Sequence, residues 1–211
     1  MPDPRFRRRK DDRPAEITAA AMAEFAENGY DATPVEAVAR RAGVSKGLLY
    51  LYFRTKEELF KAVVRSVVSP RIDRLVASIE DTHISVEAFL RGPFLDTARE
   101  LPRSRARHFI RLMIAEGPKH PDLTEWYWRN VVSKGLGALE TLIARGVERG
   151  ELRPSALQRF PQLLLSPVML SVIWTLIMQR HQPLDTDAFI EAHIDLVLDA
   201  TLAHNSTSDA G

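Results

Sequence analysis

The chain of 211 residues contains no cysteine, which excludes a disulfide framework, thiolate chemistry and a cysteine-ligated metal. It also lacks a dominant charge. Lys+Arg 29 against Asp+Glu 28 leave a net +1, so affinity for nucleic acid must come from where the cations are placed. No uninterrupted apolar run reaches the ~20 residues that span a bilayer. The most apolar stretch, residues 160–179, is broken by Ser166, Pro167, Ser171 and Thr175, and it reads as a central helix rather than a membrane segment. The N-terminal residues are charged, so no signal peptide is expected, and a reducing cytoplasm fits. P-loop, dinucleotide, GxSxG and HExxH patterns are missing as well, so neither an enzyme nor a cofactor is expected. Six histidines, His83, His108, His120, His181, His193 and His204, are scattered. Glu116 and His120 are parted by Gly117-Pro118 and share no regular helix face, so no metal site is expected either.

What is present centres on residues 33–56. Thr33 is placed to cap a helix with Pro34 in its first turn, and Val35, Val38, Ala39 and Ala42 recur at helical spacing. Gly43 ends that helix, and Ser45 is placed to cap a second, from Lys46 through Leu51. Two short helices about a glycine turn form a helix-turn-helix, whose second helix fits the major groove. Lys46 and Gly47 then lie at the groove-facing end, while Leu49 and Phe53, four apart, face a core. Tyr50 and Tyr52 offer hydroxyls to phosphates, and Lys56 opens the next helix.

Gly29-Tyr30, Thr33-Pro34-Val35, Ala42-Gly43-Val44-Ser45-Lys46-Gly47, Leu49-Tyr50-Leu51-Tyr52-Phe53 and Lys56-Glu57-Glu58-Leu59 together resemble the TetR/AcrR family of bacterial transcriptional regulators. The resemblance covers roughly residues 14–65 and departs at Leu48, where relatives often carry a small polar residue. It implies an all-α homodimer with an N-terminal three-helix DNA-binding domain and a C-terminal helical ligand-binding and dimerisation domain. It also implies DNA-contact roles for Thr33, Ser45, Lys46, Gly47, Tyr50, Tyr52 and Lys56.

On this reading residues 1–13 form a basic arm, 14–55 the DNA-binding domain, 56–203 the ligand-binding and dimerisation domain, and 204–211 a disordered tail. Arg5, Arg7, Arg8, Arg9 and Lys10 give the arm its charge; it either follows phosphates or a minor groove, or simply solubilises the chain. Pro14 is expected to start the first long helix, with Ile17, Ala21 and Phe25 as its apolar stripe. Pro70 and Gly92-Pro93 are expected to kink helices. Phe109, Met113, Trp126, Trp128 and Trp174 are either core filling or the lining of an apolar effector pocket. The last two helices, with Val168, Leu170, Ile173, Ile190, Ile194 and Val197, resemble the family's dimer interface.

The expected function is therefore a repressor released from a palindromic double-stranded DNA operator by a small lipophilic or aromatic effector. The alternative is an all-α enzyme or carrier with an incidental helix-turn-helix. Salt-sensitive binding to DNA, against turnover of a pocket ligand, separates the two.

Overall fold

Apolar residues at helical spacing, punctuated by glycine and proline, produce an all-helical chain without a β-strand among the described residues. The computed structural model describes residues 4–203, with side chains from residue 12 onward. Contacts divide the chain into two compact units. One comprises the described residues up to Arg71 together with Arg105–Val131, the other Ile72–Ser104 and Val132 onward.

The first unit holds α1 (Pro4–Asn28), α2 (Val35–Arg41), α3 (Lys46–Tyr52), α4 (Lys56–Val67), and, later in the chain, α8 (Ala106–Glu116) and α9 (Pro121–Tyr127). Helix α1 starts at Pro4, not Pro14, so the backbone expected as an arm is helical from residue 4. Pro14 sits inside the helix, where it lacks one donor, and its carbonyl accepts the Thr18 hydroxyl at 2.6 Å. The side chains of Arg5, Arg7, Arg8, Arg9 and Lys10 lie outside the described ones, as does the tail from residue 204. Ile17, Ala21 and Phe25 are fully buried, and α1 packs against α4, whose Leu59, Phe60, Val63 and Val64 are buried as well. An aromatic chain then runs from Phe25 to Phe60 (6.3 Å between centroids), Phe109 (5.6 Å) and Tyr127 (5.3 Å). Each such ring removed from water contributes roughly 1.5–3 kcal/mol, so α8 is held to α1 and α4 by core packing.

Helix α4 ends at Val67 and α5 (Ser69–Glu80) begins at once, placing Pro70 in a first turn that needs no amide donor. The second unit continues with α6 (Val86–Phe89), α7 (Leu95–Arg103), α10 (Ser133–Glu148), α11 (Ser166–Ile177) and α12 (Thr186–Thr201). The distortion expected at Gly92-Pro93 is a π-helical turn, Leu90–Phe94, which joins α6 to α7. A second π turn, Trp128–Val132, precedes α10. The stretch read as one helix over residues 160–179 opens instead with a 3-10 turn, Pro161–Leu164, before α11.

Phe89, Leu90, Leu142, Ile143, Val168, Ile190, Ile194 and Leu198 make the centre of this unit's core. An antiparallel ladder of ion pairs fixes the register of the Leu90–Arg103 stretch against α12: Arg91–Asp195 at 2.7 Å, Arg99–Glu191 at 2.6 Å and Arg103–Asp187 at 2.6 Å. Exposed pairs of this kind add little stability individually. Asp185 caps α12, its Oδ1 accepting the amides of Asp187 and Ala188.

Candidate nucleic-acid interface

Helix α1 stops at Gly29, whose φ of 85° a side chain would oppose. The chain then turns through residues 30–34 into α2. Thr33 is fully buried, and its hydroxyl donates to the carbonyls of Gly29 at 2.7 Å and Glu24 at 3.2 Å. Pro34 occupies the N-cap position of α2 with no side-chain cap. The expected roles of Thr33 as cap and phosphate ligand are thus corrected: its hydroxyl closes the loop and cannot reach DNA.

Ala37, Val38 and Ala39 bury the inner face of α2. Gly43 reverses the chain at φ 65°, and Val44 donates back to Ala39 at 3.0 Å. Ser45 caps α3 as expected, accepting from the Leu48 amide at 3.1 Å. Leu49, 1% exposed, anchors α3 to the core, which fixes the face it turns outward. That face carries Ser45, Lys46, Gly47, Tyr50 and Leu51. A Cβ on Gly47 would meet nothing within 4 Å, so this glycine leaves the backbone itself approachable.

Lys46 pairs with Glu36 of α2 and lies 5.8 Å from the centroid of the Tyr50 ring. The Glu36 carboxylate raises the Lys46 ammonium, and Lys46 in turn lowers Glu36. Both groups are exposed, so exchanging this partner for a phosphate or base edge costs little.

Tyr52 is half-buried on the same helix. Thr55 caps α4 by accepting the Glu58 amide at 3.0 Å, and Glu58 returns the bond from the Arg54 amide at 2.7 Å. Lys56 opens α4 as expected, but its side chain turns back to the loop. Its ammonium donates to the Asp31 carbonyl at 3.0 Å and sits 4.7 Å from the centroid of the Tyr30 ring. Burial holds it below the usual lysine range, so the side chain serves the α1–α2 loop, and the outward surface offers other side chains.

Three such groups escaped the sequence reading. Leu51 is 74% exposed, and Arg40 and Arg54 are exposed at the ends of α2 and α3. Leu51 was detectable, because it lies two residues, or about 200° of helix, from the core-facing Leu49. Arg41, by contrast, is bound to Glu24 at 3.2 Å and Glu27 at 2.7 Å.

Of the five residues expected either as core filling or as an effector pocket, Phe109, Met113, Trp126 and Trp128 belong to the first unit and Trp174 to the second. Phe109 is fully buried in the aromatic chain of the first unit. Met113 is half-buried. Trp126 is flanked by Lys61 and Arg65, 5.6 and 5.2 Å from its ring centroid. Trp128 is 52% exposed. Trp174 belongs to the second unit, where its indole N–H donates to the Gln182 carbonyl at 2.8 Å. Core filling accounts for Phe109.

The candidate dimer residues also divide. Val168, Ile190 and Ile194 are buried in their own unit's core and are corrected from interface to core, while Val197 is half-buried against it. Leu170 and Ile173 point outward, 42% and 38% exposed.

Comparison with known proteins divides the chain along its sequence, and the second matched stretch runs through both compact units. Residues 17–63 match the family model described as bacterial regulatory proteins, tetR family, and residues 80–197 match the tetracyclin repressor-like C-terminal domain. The fatty acid metabolism regulator protein of Bacillus subtilis is 23% identical over 184 residues, covering 87% of this chain and 92% of that protein. The HTH-type transcriptional regulator RutR of Escherichia coli K12 is 31% identical over 140 residues, 65% of this chain and 63% of RutR. Among solved structures, the complex of SmeT with triclosan superposes with a TM-score of 0.77 at 23% identity, covering 94% of this chain and 96% of that one. FadR of Bacillus subtilis with stearoyl-CoA gives 0.72 at 21% identity, covering 87% and 97%. At such identities the superpositions establish the fold.

Proposed function

This chain belongs to the TetR family of bacterial regulatory proteins, and from that membership we propose that it represses transcription at a palindromic operator until a small lipophilic effector releases it. It is a ligand-responsive, DNA-binding transcriptional regulator, and its relatives are regulators rather than enzymes. No helix among the described residues is long and apolar enough to cross a membrane.

One observation carries the DNA reading: α3 is capped by Ser45, anchored by Leu49, and bare of core contacts along Lys46, Gly47, Tyr50 and Leu51. Lys46 and Tyr50 address base edges, Leu51 offers apolar contact to a thymine methyl, and Arg40 and Arg54 bind phosphates on either side. Two copies of α3 must stand about 34–36 Å apart to read successive turns of the duplex. We assign the pairing to the outward faces of α11 and α12. Leu170, Ile173 and Ile177 are exposed on α11, and Ala188, Ala192 and Leu196 form an exposed stripe on α12.

The lipophilic class of effector is supported by the triclosan bound to SmeT and the stearoyl-CoA bound to FadR. Helix α8 packs with α1 in the unit that carries α3, so an effector that displaces α8 also moves the reading head. A hundredfold preference for the non-binding state is worth about 2.7 kcal/mol, enough to empty an operator. The test is fluorescence anisotropy on DNA flanking the gene, with stearoyl-CoA and triclosan as probes. Specific, salt-dependent binding that either probe weakens is expected, with DNA weakening probe binding by the same factor. Binding indifferent to DNA sequence would overturn the operator reading.

A further inference from the structure

We propose that Asp31, Glu116 and His120 form a binding site for a divalent first-row transition metal such as Zn2+, which fastens the α1–α2 loop to the end of α8. The sequence offered only Glu116 and His120, separated by a Gly-Pro break. Folding of the first unit adds Asp31, and one donor atom from each of the three lies within 4.8 Å of the others.

The His120 ring marks the meeting point. Its Nε2 is 2.8 Å from Asp31 Oδ1, yet it is closed to solvent and makes no hydrogen bond. A protonated imidazole paired with a carboxylate would aim its N–H along that line, and this ring does not. A neutral ring nitrogen and a carboxylate oxygen that share one cation need no such alignment. Ligand bonds of about 2.0–2.2 Å separate neighbouring donors in a tetrahedral shell by roughly 3.4 Å. The 4.8 Å spread therefore closes by small side-chain rotations.

The surroundings fit this use. The imidazole is held edge-on against Tyr30, 4.8 Å between centroids. A Cβ at Gly29 would come within 3.0 Å of Glu116 Oε1, so the glycine leaves the carboxylate its place. Glu116 and His120 are half-buried and Asp31 is exposed, which leaves the outer coordination positions to water. One neutral imidazole and two carboxylates carry a charge that a dication balances, and the mixed nitrogen–oxygen set favours a transition metal over Mg2+ or Ca2+. Two ammonium groups now stand near: Lys119 Nζ is 3.1 Å from Glu116 Oε2, and Lys56 binds the Asp31 carbonyl. Both sit on flexible stems, and the metal competes with Lys119 for the Glu116 carboxylate.

The site is independent of the operator reading and is tested without DNA. Full-length protein, stripped with a chelator, is titrated with Zn2+ by calorimetry and with Co2+ by its visible absorption. A single ion per chain is expected. Glu116→Gln and Asp31→Asn, which keep side-chain shape, should each weaken binding by about tenfold or more, with unchanged circular dichroism. His108→Ala, a histidine outside the cluster, should leave binding intact. Absence of one-to-one binding in the parent protein overturns the proposal, and so does an affinity that survives the double variant Asp31→Asn/Glu116→Gln.

Discussion

Thr33 and Lys56 are polar residues that the DNA-binding module turns inward, and their replacement separates folding from recognition. Thr33→Val keeps the shape of the side chain but strips two carbonyls of a buried donor. The expected cost is about 1–3 kcal/mol of stability, measured by urea unfolding, while the operator affinity of the folded fraction stays as it was. A loss of affinity without a loss of stability would return Thr33 to the DNA surface. Ser45 and Gly43 were legible in the sequence because each has one local solution: a cap oxygen for a nearby amide, and a left-handed turn. Thr33 was not, because a threonine hydroxyl reaches backward to carbonyls as easily as forward to amides. Lys56 was not, because its stem folds back over the Tyr30 ring, a partner brought near only by tertiary packing. The two buried phenols give a pH test at the same scale. Burial pushes Tyr30 and Tyr127 up from 10.0 to about 12. A raised acid holds its proton more tightly in the folded chain, so its contribution is complete below pH 10 and is lost as pH rises toward about 12. Tyr127→Phe should flatten that alkaline decline in melting temperature, and an unchanged slope would place the phenol in water.

At the scale of elements, α10 carries a contrast between two glycines of one helix. A Cβ at Gly146 would sit 2.5 Å from Val86 Cγ2 and 3.2 Å from Leu152 Cγ, whereas one at Gly137 meets nothing within 4 Å. Gly146→Ala is therefore expected to destabilise by about 1–3 kcal/mol through overpacking. Gly137→Ala is expected to stabilise by roughly 0.4–1 kcal/mol, because alanine leaves the unfolded chain less freedom to lose. Thermal melts of the pair check both signs, and equal shifts would mean that α10 does not approach Val86 as described. Helix types and most boundaries could be read from caps and periodicity. The π turns could not: Gly92-Pro93 announced a distortion, but whether the chain breaks or widens there depends on how Phe89 and Phe94 both reach the core. The second π turn, at Trp128–Val132, has no proline or glycine within it to give notice.

For the whole molecule, the open question in the sequence was which faces of α11 and α12 are internal. Helix α11 is apolar nearly all round, so periodicity cannot say which side the monomer keeps; the fold assigns Val168 and Val172 inward and Leu170, Ile173 and Ile177 outward. On α12 the spacing of Ile190, Ile194 and Leu198 suited either a core or an interface, and these three are fully buried within the chain. The two classes fail differently when charged. Ile194→Asp places a carboxylate among apolar neighbours with no partner and is expected to unfold the second unit. Leu170→Asp and Ile173→Asp keep the monomer core intact, so each should yield a folded monomer by light scattering, with an unchanged helical circular dichroism spectrum. A monomer reads one half-site. Its specific affinity should collapse, and the slope of log K against log salt, about −0.9 for each phosphate neutralised, should fall to roughly half that of the dimer. A Leu170→Asp/Ile173→Asp chain that stays dimeric and keeps the full salt slope would move the interface off this face of α11.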